Sequence, residues 1–195
     1  MNKAMETAYL PQKDNTKLAM WIFLGGEVIF FTALILGYVF FRLTVAAEVY
    51  AKFHEYLQQN LTIIAGNTFV LIASSYFVVR SLEAIRKGDQ RGQRINLIVV
   101  VVLGAVFLGG QAIEWTSLFS EGVGLDNSMG AAFFTTTGVH GTHVFVGLLW
   151  GIIVVVNGFR GYFNKDYFLG IEMFGLYWHF VDIVWIALFT LLYLI

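Results

Sequence analysis

The chain has 195 residues, 58% of them hydrophobic, with a formal net charge of −1. Charged residues make up 13%, against roughly 25% in a typical soluble domain, too few to cover a water-soluble fold of this size. The absence of cysteine excludes disulfides, thiolate metal sites and iron–sulfur clusters, and the charge balance gives no basis for nucleic-acid binding.

The segment 1–17 reads as a short polar tail carrying Lys3, Lys13 and Lys17. No cleavable signal peptide is expected, because the first apolar run is too long and no small-residue cleavage site follows it. A helix needs about 20 apolar residues to cross a bilayer. Five runs qualify: Leu18–Phe41, Leu61–Val79, Ile95–Ile113, Met129–Val156 and Met173–Ile195. Barrel strands would be about half as long and would alternate. The fold class is therefore an all-α membrane protein, with one five-helix domain over 18–195.

Basic residues set the orientation. Lys3, Lys13 and Lys17 in the tail, Arg80, Arg86, Lys87, Arg91 and Arg94 in the second connection, and Arg160 and Lys165 in the fourth share one side. They are ten of the twelve Lys and Arg residues; Arg42 and Lys52 lie on the other side. The positive-inside rule puts the N-terminus in the cytoplasm and the C-terminus in the periplasm.

Ionisable groups inside a span need a partner or a function. Glu27 lies roughly 13 Å into the first span at 1.5 Å per residue. It is either a hydrogen-bonded carboxyl joining two helices, or a proton-relay or lipid-site group. In the fourth span, His140 and His143 in Thr137-Gly-Val-His-Gly-Thr-His-Val sit three residues apart, with Gly138 and Gly141 leaving room for a neighbouring backbone and Gly147 and Gly151 extending a small-residue contact. They can ligate a metal or haem, or bond to Glu27 or to backbone carbonyls. The second reading is favoured, because two histidines on one turn cannot sandwich a haem and the Glu-x-x-His spacing of a di-iron site is absent. In the fifth span, His179 and Asp182 share one face with Glu172 and Gly175, and the pair can neutralise itself. Asp182 lies roughly 15 Å deep, a depth similar to that of Glu27. Gln111, Glu114 and Trp115 near the outer end of the third span read as interfacial anchors. Arg42, Glu172, Trp178 and Trp185 join them as candidates for a lipid or subunit interface. No metal site is expected.

These constellations occur in a recognisable order. Met20-Trp-Ile-Phe-Leu-Gly-Gly-Glu-Val-Ile-Phe-Phe, Asn67-Thr with Ser74-Ser75, Gly109-Gly-Gln-Ala-Ile-Glu-Trp, Phe133-Phe-Thr-Thr-Thr-Gly-Val-His-Gly-Thr-His-Val and Tyr177-Trp-His-Phe-Val-Asp-Ile-Val-Trp resemble subunit III of the haem–copper terminal oxidases. The resemblance runs from about Lys17 to Ile195. It implies an accessory, non-catalytic subunit without haem or copper of its own, those centres belonging to partner subunits. Such a subunit packs against the catalytic subunit I and other oxidase subunits in a bacterial inner membrane, supports cytoplasmic-side proton uptake, protects against turnover inactivation and binds phospholipid. It also implies cytochrome c oxidase as the parent enzyme, with membership of a respiratory supercomplex left open. The family's buried, carbodiimide-reactive glutamate maps onto Glu27, and the depths place a hydrogen bond from it to His143 or His140. Longer relatives have seven helices, and this chain matches from the third.

Other readings remain. A quinol oxidase subunit or a nitric-oxide-reductase-associated protein fits the same motifs. From another class, a small proton-coupled transporter could use Glu27, His143 and Asp182, although there is no inverted repeat or broken helix. A haem- or quinone-binding protein is disfavoured by the ligand geometry.

Overall fold

The computed structural model describes the backbone of residues 3–195 and the side chains from Asp14 onward. Six helices run α1 Lys3–Thr44, α2 Ala47–Gln59, α3 Leu61–Arg86, α4 Gln90–Ser120, α5 Ser128–Phe159 and α6 Leu169–Phe189, and a π-helical turn, Thr190–Leu194, closes the chain. Five helices are long and apolar enough to span a membrane: Asp14–Thr44 of α1, α3, α4, α5, and Leu169–Leu194. Of the tail expected over 1–17, the side chains of Lys3 and Lys13 lie outside the described residues, while the backbone is helical from Lys3.

The helices end where local chemistry stops them. Gly88, at φ +82°, follows α3 in the left-handed region that favours glycine. Asp89 then caps α4 by accepting from the Gly92 N–H at 2.8 Å. Asn127 caps α5 in the same way, accepting from Gly130 N–H at 2.6 Å.

The sequence pattern did not anticipate α2. Its 13 residues carry Glu48, Lys52 and Glu55, so its mean hydropathy resembles that of a loop. Yet Phe53 and Leu57, four apart, form one buried face, and the Phe53 ring meets Phe133 edge-on at 5.6 Å.

Helix α6 lies at the centre, touching α1, α3 and α5, while α4 joins α3 to α5 and α1 rests on α5 and α6. The packing of α6 rests on aromatic side chains set into glycine slots. A Cβ on Gly104 of α4 or on Gly147 of α5 would lie 2.8 Å from the Trp178 ring. The Trp178 indole N–H then donates to Ser74 Oγ of α3 at 2.8 Å. One side chain thus ties three helices to α6. Trp185 packs between the Phe107 and His140 rings, each at 4.9 Å, and donates to Thr68 Oγ1 of α3 at 2.9 Å.

This arrangement overturns two expectations. Trp178 and Trp185 are fully buried in the core and do not face lipid or a subunit interface. Each indole N–H needs an acceptor when buried, and the hydroxyls of α3 supply it. The Gly138–Gly141 pair also does not bring a backbone close. A Cβ on Gly138 would meet the Trp115 ring at 3.1 Å, and one on Gly141 would meet nothing within 4 Å.

Candidate functional site

Three carboxyl groups lie within the bundle, each held differently. The first joins the outer helix to the rest. Glu27 Oε2 of α1 stands 3.2 Å from His143 Nε2 of α5. His143 Nδ1 lies 2.8 Å from the Val139 carbonyl oxygen, which can only accept, so Nδ1 carries a hydrogen. If the ring is neutral, Nε2 is an acceptor and Glu27 must be the protonated donor; if the ring is charged, Glu27 is ionised. In both arrangements the contact is one hydrogen bond between Oε2 and Nε2. Tyr177 of α6 donates its hydroxyl to the His143 carbonyl at 2.9 Å, and the Phe31 ring covers the imidazole edge at 4.9 Å. Both side chains are about one-fifth exposed, and His143 borders a largely apolar groove of about 260 Å³ walled by Phe23, Val146, Trp150 and Tyr177. The depth estimate allowed either histidine as the partner of Glu27, and the bond is made by His143.

His140, one turn away, is buried and stacks on Trp185 at 4.9 Å, with Phe107 edge-on at 6.1 Å. Neither of its ring nitrogens has a hydrogen-bond partner.

The second group is Asp182 with His179. They do not bond to each other directly. Both meet Ser75 of α3: its Oγ lies 2.9 Å from His179 Nδ1 and donates to Asp182 Oδ2. The hydroxyl has one hydrogen, so giving it to the carboxylate makes Ser75 the acceptor from His179. Asp182 Oδ1 has no partner.

The third is Glu114. Its Oε1 accepts from the Tyr193 hydroxyl at 2.7 Å and its Oε2 from Gln111 Nε2 at 2.5 Å. Gln111 and Glu114 are both buried, so they are not interfacial anchors. The π turn sets Tyr193 in the core, where its hydroxyl turns Glu114 inward. Trp115 is half-buried and packs edge-on against Phe134 at 5.5 Å.

Two further candidates lie at the bundle ends. Glu172 accepts from Lys17 Nζ at 2.9 Å, with Arg86 Nη2 at 3.7 Å, so one carboxylate links α1, α3 and α6. Arg42 donates to the Ile195 carbonyl at 2.7 Å and lies 4.8 Å above the Tyr50 ring. Among the described residues, no group of three or more His, Cys, Asp or Glu side chains gathers to hold a metal.

The order of these groups along the chain has a counterpart in known proteins. The family model described as cytochrome c oxidase subunit III matches residues 6–195. The chain belongs to the cytochrome c oxidase subunit III family. It is 37% identical to cytochrome c oxidase subunit 3 of Thermostichus vulcanus, over 93% of this chain and 88% of that protein. Quinol oxidase subunit 3 of Bacillus subtilis (strain 168) is 34% identical over 91% of this chain and 85% of its own. Cytochrome c oxidase subunit 3 of Bacillus sp. (strain PS3) is 32% identical over 92% and 86%.

Within this subunit III fold, sequence reasoning placed Thr68, Ser74 and Ser75 in a motif but gave their hydroxyl groups no role. Thr68, Ser74 and Ser75 form the polar seam of α3 that receives Trp185, Trp178 and the His179–Asp182 pair. Thr68 and Ser75, seven residues or two helical turns apart, share a face, and Ser74 extends the seam to the side; that run of small hydroxyls in an apolar span was the available signal. Tyr177 and Tyr193 gave no comparable signal, because a tyrosine in an apolar run reads as packing until its partner is known.

Proposed function

We propose that this chain is an accessory subunit of a respiratory terminal oxidase, seated against the catalytic subunit I. In this reading oxygen reduction takes place on the haem and copper of partner subunits, and this chain supports proton uptake from the cytoplasm. The observation that carries it is the 3.2 Å contact between Glu27 Oε2 and His143 Nε2 beside a groove open to the outside of the bundle. Such a pair can accept a proton on one atom and release it from the other without exposing a lone charge to hydrocarbon.

The basic residues support an N-inside, C-outside orientation in a bacterial inner membrane. Lys17, Arg86 and Glu172 then mark the cytoplasmic end, and α2 lies on the periplasmic side. The apolar grooves along α1 suit phospholipid chains or the helices of a partner subunit. Membership of a supercomplex belongs to the same proposal.

Purification of the tagged chain from its native membrane tests this reading. A haem–copper oxidase should copurify, and the chain separated from it should lose visible absorbance. Recovery without any oxidase subunit, or proton-coupled flux by the isolated chain in liposomes, would contradict it. Relatives include both cytochrome c and quinol oxidase subunits, so the copurified complex should be assayed with each donor.

A further inference from the structure

A pocket opens on the seam between α3 and α4, toward the end of the bundle that carries α2, and Glu114 is part of its lining. It has a volume of about 120 Å³, room for a few waters at about 30 Å³ each. Ile63 and Ile113 form its lipid-facing rim, while Asn60, Ser117, Glu114 and Asn67 line it at increasing depth. Asn60 precedes the first residue of α3, and Asn67 lies seven residues further in, about 10 Å by helical rise. Glu114 lies six residues from the end of α4, about 9 Å. The polar groups therefore descend from the helix ends to roughly one-third of a bilayer's depth.

Two features hold this track in place. Asn67 Nδ2 donates to the Phe107 carbonyl at 2.9 Å, which fixes the amide and leaves its oxygen as an acceptor. A Cβ on Gly110 would lie 2.7 Å from that amide, so glycine preserves its seat. Glu114 uses one lone pair of Oε1 on Tyr193 and one of Oε2 on Gln111. A carboxylate offers about four lone-pair sites, so two remain for a guest. The wall is otherwise apolar, with Ile63, Ile64 and Ile113; a hydrocarbon chain in the pocket would satisfy none of these polar groups, whereas water can bond to each of them.

We propose that this pocket is a water-filled inlet from the α2 side and that Glu114 is a second proton-exchanging carboxyl, separate from Glu27. A proton arrives as hydronium, binds a free lone pair of Glu114, and leaves by the same waters; no electron moves. Tyr193 and Gln111 hold the carboxyl in place, and the α3 residues of the inlet bring amides. The proposal needs nothing from the Glu27–His143 reading, and either can fail without the other.

Infrared difference spectra of the whole oxidase complex in nanodiscs test it, recorded after pH jumps in H₂O and D₂O. The expected result is a protonated-carboxyl band that shifts promptly in D₂O, disappears in Glu114→Gln, and exchanges more slowly in Ser117→Leu, where the new side chain fills the inlet. If Glu114→Gln does not assemble, Glu114→Asp must move the band. Four results would overturn the proposal. They are no Glu114 band at any pH the complex tolerates, a band whose exchange is as slow as that of the buried backbone, fast exchange unaffected by Ser117→Leu, or a band that follows added sodium at fixed pH.

Discussion

Helices α1 and α6 are both long and apolar, yet they are held by opposite means. In α6, 56% of the most apolar stretch is buried; in α1 the figure is 17%. Helix α6 is fixed by shape, with Trp178 set between Gly104, Gly147 and the Ser74 hydroxyl, and Trp185 packed on Phe107 and His140 and bonded to Thr68. Helix α1 buries only a narrow stripe, Met20, Leu24, Phe31 and Tyr38, and adds polar contacts at three depths: Lys17 to Glu172 at one end, Glu27 to His143 inside, and Arg42 to Ile195 at the other. Lipid tails are as apolar as leucine, so apolar matter alone does not order a helix against its neighbours in a bilayer. The central helix answers this with interlocking contours, and the outer one with a few directional bonds.

This contrast predicts where substitutions act. The largest effect should come from Trp178→Ala, which empties the slot shared by Gly104 and Gly147 and removes the bond that Ser74 accepts; a loss of about 3–5 kcal/mol is expected, read as a fall in the melting temperature of the purified complex. Gly147→Leu should prevent assembly for the converse reason, since its side chain would occupy the space of the Trp178 ring. Gly141→Leu should assemble normally when followed by copurification, because that position faces open space within this chain.

Smaller effects follow for the polar ties. Ser75→Ala removes the shared partner of His179 and Asp182 and should cost about 1–3 kcal/mol in thermal unfolding. Lys17→Ala breaks a partly exposed ion pair and should cost at most about 1 kcal/mol, less at high salt. An effect of Lys17→Ala larger than that of Trp178→Ala would reverse the contrast between the helices.

The same contrast explains what was legible in the sequence. The five spans follow from run length and composition, which do not depend on neighbours. The Glu27–His143 contact was within reach because depth in a membrane can be counted along a helix. The rotation of α6 could not be counted. Trp178 and Trp185 look like interface residues until α3 is known to offer Ser74 and Thr68. Gln111 and Glu114 look like anchors until the π turn brings Tyr193 beside them. Helix α2 escaped because its two buried side chains lie within a charged segment that average hydropathy reads as a loop.

The pair that pins α1 also carries the functional reading, and Glu27→Gln separates the two. Glutamine keeps hydrogen-bonding capacity at position 27 but cannot take part in sharing a proton with His143. The decisive measurement is oxygen-consumption turnover of the purified wild-type and Glu27→Gln complexes across pH. The account predicts equal assembly and haem content, with a modest turnover deficit that grows as pH rises and protons become scarce. Superimposable pH profiles, or complete inactivity of an assembled complex at every pH, would contradict it.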